Sequence, residues 1–170
     1  LDGEKSLDEI IVEGPFGVKL VPGASGIQHM ASLNEQQTAS IISAFSELES
    51  DIDYLIVDMA AGLSDSVMTF LCACQRRYIV LKNEPSSIAD AYATIKVMLQ
   101  DYNLDNIWLI PNAVTSQPDG IRLSKNINTV VKHFLGGQLN YLHSITSDEM
   151  VLRATKSSKC LLDFAPSSNA

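Results

Sequence analysis

The stretch Asp53-Tyr-Leu-Ile-Val-Asp58-Met-Ala-Ala-Gly62 constrains this chain more than any other. An apolar run ends in a carboxylate, and a small-residue turn closing on Gly follows. In a parallel α/β protein this pattern predicts a buried strand that delivers Asp58 to its C-terminal end, where ligands bind. Gly62 would let the backbone approach a phosphate closely. An aspartate at that place suits Mg²⁺, held directly or through water. No G-x-x-x-x-G-K-[ST] loop, which would cradle the phosphates, occurs in the 170 residues. The chain opens on Leu1 and not on Met. Together these two features set the expectation of an N-terminal truncation.

Size and charge narrow the field. A chain of 170 residues can bury the core of one domain, expected over 1–165 with a frayed tail, Pro166–Ala170. Its net charge of −8 argues against bulk binding to nucleic acid or to anionic lipid. No run approaches the roughly 18 apolar residues of a membrane span, and no signal peptide is visible. Cys72, Cys74 and Cys160 form no disulfide framework, which fits a reducing cytoplasm. His29, His133 and His143 are scattered and have no metal-binding spacing.

Apolar periodicity supplies the remaining elements. Ser6 or Asp8 could cap a short helix, and Gly14–Gly17 reads as a turn before a strand at Val18–Val21. Asn34 and Gln37 form a capping-box variant ahead of Ile41, Ile42, Phe45 and Leu48. Ser64–Ser66 opens a helix through Cys74. Tyr78–Leu81 and Ile107–Ile110 read as buried strands, the second closed by Pro111-Asn112. Helices are expected from Pro85 to about Leu99 and from Ile121 to Phe134, the latter ended by Gly136-Gly137. Leu139–Leu142 is the last strand and Asp148–Thr155 the last long helix. Strands alternating with helices predict right-handed βαβ units, a mainly parallel sheet and helices on both faces.

These residues also carry a resemblance. Asp53–Val67 resembles the Walker B and switch II region of the MinD/ParA-type P-loop ATPases. Glu84-Pro-Ser-Ser-Ile-Ala-Asp90-Ala-Tyr92-Ala resembles the branch that regulates flagellar number and placement, often called FlhG or FleN. Gly17-Val-Lys-Leu-Val-Pro22-Gly-Ala-Ser25-Gly26 is similar to a turn of that branch, and Ile145-Thr-Ser-Asp148-Glu149-Met-Val-Leu-Arg-Ala154 to its I-P-x-D-x-x-V-x-x-A segment. The matches run in order over nearly the whole chain.

The resemblance implies a P-loop NTPase-like fold that lacks its phosphate-loop strand, with ATP and Mg²⁺ as cofactors of the intact protein. It implies that Asp58 holds Mg²⁺, usually through water, and that the Gly62 amide senses the terminal phosphate. It implies that the Asn112 side chain pairs with the adenine edge. It places Asp148 in the segment that wraps base and ribose, a position where an aspartate could equally cap a helix. Glu84, Ser86, Ser87 and Asp90 would lie between protomers of a homodimer, or else form a solvated helix start. Flagellar-assembly proteins are the implied partners. Membrane contact would be peripheral, through an amphipathic segment not visible here, since the residues after Phe164 are few and polar.

The chain departs from the family at the missing loop and at Thr146, where the branch carries Pro. Alone, it is therefore expected not to hydrolyse ATP. The gap beside Leu55–Asp58 is expected to be closed by a segment such as Val18–Val21 or by another chain. A non-enzymatic scaffold that has lost its phosphate loop is an alternative reading, as is a chromosome- or plasmid-partitioning relative.

Overall fold

The computed structural model describes residues 9–22, 35–47 and 52–170. The chain divides into two compact units, Leu1–Ala73 and Cys74–Ala170, each described by itself.

In the first unit, β1 (Val12–Glu13) and β2 (Lys19–Leu20) form an antiparallel hairpin, with Val12 opposite Leu20. The expected turn Gly14–Gly17 joins them as a 3₁₀ turn over Pro15–Gly17, closed by the Gly14 amide donating to the Val18 carbonyl at 2.7 Å. Helix α1 spans Glu35–Glu47 and packs against α2, Asp65–Ala73. The Ser64 hydroxyl accepts from the Val67 amide at 3.4 Å, and α2 buries Val67, Met68 and Phe70. The expected helix near Leu7, the caps at Ser6, Asp8 and Asn34, the Gly23–Gly26 turn and Leu48 lie outside the described residues.

The Asp58 run departs from its reading. Tyr54–Asp58 joins no strand pair among the described residues. Tyr54 and Ile56 are each 88% exposed. Val18–Val21 does not close a gap beside it, because Lys19 and Leu20 pair with Glu13 and Val12 instead. A strand is defined by the ladder it joins, and β-propensity without a partner leaves only extended backbone.

The second unit is the sheet. Its strands are β3 (Arg77–Leu81), β4 (Ile107–Val114) and β5 (Leu139–Tyr141), in that order and all parallel. A short β6 (Ile145–Thr146) continues beside the far end of β4. Helices α3 (Pro85–Gln100) and α4 (Gln117–Leu135) make the crossovers and pack on each other. Strands laid down in one direction by right-handed crossovers place both helices on one face. That face holds the core: Leu81, Ile95, Met98, Ile107, Leu109 and Val131 are buried. On the alternate positions of β3, Tyr78 and Val80 are exposed, so this strand is not buried on both sides as its sequence predicts.

β4 runs through Pro111, where the sequence predicts its end. The β5 register stops at Leu109 and the β6 register starts at Asn112. Pro111 falls in the gap between them, where a missing N–H costs little. α4 starts earlier than its apolar pattern, at an N-cap supplied by Ser116, and ends at Gly136 with φ 67° as expected. The chain closes with α5 (Glu149–Lys156) and α6 (Leu161–Phe164). Among the described residues no helix is long and apolar enough to cross a membrane.

Candidate functional site

Parallel strands deliver their following residues to one edge of a sheet, and the second unit uses that edge heavily. Glu84 follows β3 there, Asn112 lies at the end of β4, and Asp148 follows β6.

Asn112 pairs with Ile145 and Val114 with Thr146, leaving Ala113 as the extra residue of a bulge. Ala113 has φ 54°, a left-handed conformation rare for a residue with a Cβ. Its amide donates to Asn112 Oδ1 at 2.9 Å. Asn112 is half-buried, and among the described residues nothing bonds its Nδ2.

Asp148 is an N-cap, as the residue-only reading allowed. Its Oδ1 accepts from the Met150 amide at 2.8 Å. Its Oδ2 accepts from the Ser168 hydroxyl at 2.7 Å and from the Asn169 amide at 3.2 Å. The Thr146 hydroxyl donates to the Asn169 carbonyl. The tail expected to fray is thus tied to β6 and α5. The Met150 amide first, then the Ser168 hydroxyl and the Asn169 amide, hold the Asp148 carboxyl below its ordinary value.

The turn from β4 into α4 is welded to the β5–β6 connection. Gln117 donates from Nε2 to the Ser144 carbonyl at 2.7 Å and accepts at Oε1 from the Tyr141 hydroxyl at 3.1 Å. A Cβ on Gly120 would lie 1.9 Å from Ser144 Oγ and 2.6 Å from its Cβ, so only glycine admits this approach. Asp119 accepts from Thr115 and Ser116 hydroxyls, the latter at 2.8 Å, and from Arg122 at 2.6 Å. The Thr115 bond foremost lowers its carboxyl from the ordinary value.

The other expected residues are less engaged. Glu84 occupies the N-cap of α3 without a side-chain capping bond, and Glu84, Ser86 and Asp90 are exposed. The Ser87 hydroxyl accepts from the Lys82 amide at 3.0 Å, bracing the turn after β3. Asp58 is exposed, in the first unit. Gly62 has φ 128°, a conformation glycine adopts without strain, and a Cβ there would meet nothing within 4 Å. Its requirement is therefore conformational and not steric.

Sequence reasoning missed the Ala113 bulge, the Gln117 clasp and the Ser168–Asn169 contact. Only the α4 start had a readable signal, Ser116-x-x-Asp119, a capping-box pattern with Asp in place of Glu.

Two solved structures share this architecture: the cell-division ATPase MinD of Pyrococcus furiosus (TM-score 0.71, 18% identity, covering 98% of this chain and 66% of that one) and the MinD cell-division protein of Aquifex aeolicus (0.74, 17%, 100% and 66%). The fold is the MinD-like, P-loop NTPase-like α/β fold. Sequence relatives are nearer. The antiactivator FleN of Pseudomonas aeruginosa is 36% identical over 170 residues, all of this chain and 61% of FleN. The flagellum site-determining protein YlxH of Helicobacter pylori is 32% identical over 167 residues, 98% of this chain and 56% of YlxH. No family model matches. The chain belongs to the MinD/ParA family, in its FleN-like branch, and spans about three-fifths of the length of these relatives.

Proposed function

We propose that this chain is the base-binding portion of a nucleotide-switched ATPase that regulates flagellar number or placement. The observation that carries the reading is the pairing of Asn112 with Ile145 at the carboxyl edge of the sheet, beside the Asp148-capped segment. An amide at that edge has the donor and acceptor that a purine requires. The relatives' names, an antiactivator and a flagellum site-determining protein, support the flagellar assignment.

The residues fit the two ends of ATP–Mg²⁺ unequally. Asn112 and the Thr146–Asp148 segment suit base and ribose. Asp58 suits the metal by its chemistry, and Gly62 suits a phosphate-sensing turn by its conformation. The amides and lysine of a phosphate loop are not among the 170 residues. In a protein of its relatives' length, Asp58 would hold Mg²⁺, which would neutralise phosphate charge. Glu84, Ser86, Ser87 and Asp90 would form the face between protomers of a cytoplasmic homodimer. Flagellar-assembly proteins would be its partners, with membrane contact peripheral. The exposed Tyr54–Asp58 run, unpaired among the described residues, supports a second reading, a partner-binding scaffold without turnover.

Calorimetry and a phosphate-release assay test the division of labour. The 170-residue chain is expected to bind ATP–Mg²⁺ weakly and not to turn it over. Micromolar affinity, or turnover abolished by Asp58→Ala, would contradict it. In a protein of FleN's length, Asp58→Ala is expected to impair hydrolysis; an unchanged rate favours the scaffold.

A further inference from the structure

We propose that Ala113 is a positioning residue that sets base specificity by locking the orientation of the Asn112 amide. The inference rests on the reading of Asn112 as the base contact and names what makes that contact selective.

Adenine offers an acceptor at N1 and a donor at its 6-amino group. Guanine offers a donor at N1 and an acceptor at O6. A freely rotating Asn amide can match either, because turning it over exchanges its donor and its acceptor. An Asn at a base site therefore discriminates by hydrogen bonding only if that turn is blocked.

In this structure it is blocked. The bulge at Ala113 takes the residue's N–H out of the β4–β6 ladder, and Asn112 Oδ1 receives it at 2.9 Å. A backbone amide can only donate, so the atom it meets must be the oxygen. Turning the amide over would set NH₂ against N–H, two donors face to face. The locked side chain keeps Nδ2 as donor and the second lone pair of Oδ1 as acceptor, in one fixed order. The bond runs through Asn112's own torsions, and the left-handed φ 54° at Ala113 carries the bulge that frees this N–H for it. Alanine tolerates this conformation at a cost, glycine adopts it freely, and a β-branched residue resists it. Ala113 is exposed, so a larger side chain there meets a backbone penalty and not a packing one.

The test is an NMR titration of the protein with AMP and GMP, which share a phosphate and differ only in the base. The wild type is expected to prefer AMP. Ala113→Val is expected to bring the ratio of the two affinities about tenfold closer to unity, the worth of roughly one well-placed hydrogen bond. Ala113→Gly is expected to keep the preference. Retention of the full preference by a folded Ala113→Val, or its loss in Ala113→Gly, would overturn the inference and leave Asn112 as the base contact. A wild type without preference would overturn the base reading and the inference with it. Hydrogen exchange on the wild type supplies a check that needs no variant. The Ala113 amide lies outside the ladder yet is expected to exchange at least tenfold slower than an unbonded amide; exchange at the unprotected rate would refute the lock.

Discussion

Tyr54–Asp58 and Ile107–Asn112 are nearly the same sentence in sequence: four residues dominated by Ile, Leu and an aromatic, then, directly in the first and after Pro111 in the second, a polar side chain suited to a ligand. The structure treats them oppositely. Ile107 and Leu109 are 0% and 1% exposed, inside a strand with β3 on one side and β5 and β6 on the other. Tyr54 and Ile56 are 88% exposed and paired with nothing among the described residues. Strand propensity was equal in the two runs, and neighbours decided the outcome. The consequence is functional. The polar group after the paired run, Asn112, is held to one orientation, whereas Asp58 after the unpaired run has no described contact to fix it.

The widest separation between the two runs is in stability. Leu109→Ala is expected to cost about 3 kcal/mol, from lost burial plus a cavity, while Ile56→Ala is expected to stay within about 0.5 kcal/mol. Urea unfolding of both variants checks this. Equal losses would mean that the Tyr54–Asp58 run is packed in solution.

A smaller effect tests what braces Asn112. Gly120→Ala forces a Cβ into Ser144, whose own Cβ stands in the way as well as its hydroxyl. We expect a loss of about 1–3 kcal/mol, typical of overpacking. A neutral result would show that the α4 start is free to shift away from the β5–β6 connection, and would weaken the contrast.

The smallest effect is with pH. Asp119 and Asp148 both have carboxyls lowered by hydrogen bonds made in the folded state. Groups of this sign contribute stability that is fully present above the unfolded carboxylate value of about 4 and is lost as pH falls through the lower folded values. The second unit should therefore lose stability below about pH 4. Asp148→Asn, which keeps a capping oxygen but presents NH₂ toward Ser168 and Asn169, should flatten that dependence. A melting series at pH 3 to 6 with no difference between Asp148→Asn and wild type would count against the clasp.

These particulars also show what the sequence could reveal. The α4 region was readable because its signals are local: Ser116 and Asp119 are three residues apart, and Gly136 ends the apolar pattern. The bulge at Ala113 was not, because it arises from the register β4 takes with β6, which no window around Asn112 contains. The second role of Asp148 was hidden because Ser168 is twenty residues away. The Asp58 run misled because periodicity reports what a segment can do, while pairing depends on which segments are there to meet it.

On the proposed reading of Asn112, the carboxyl edge of the second unit is assembled to meet a base in this chain, while the Asp58–Gly62 segment is unpaired among the described residues. Backbone and side-chain amide shifts during titration with ATP–Mg²⁺ test it directly. Weak, saturable shifts are expected in Asn112–Val114 and Thr146–Met150, with none in Asp58–Gly62. Shifts centred on Asp58–Gly62, with Asn112 silent, would contradict it.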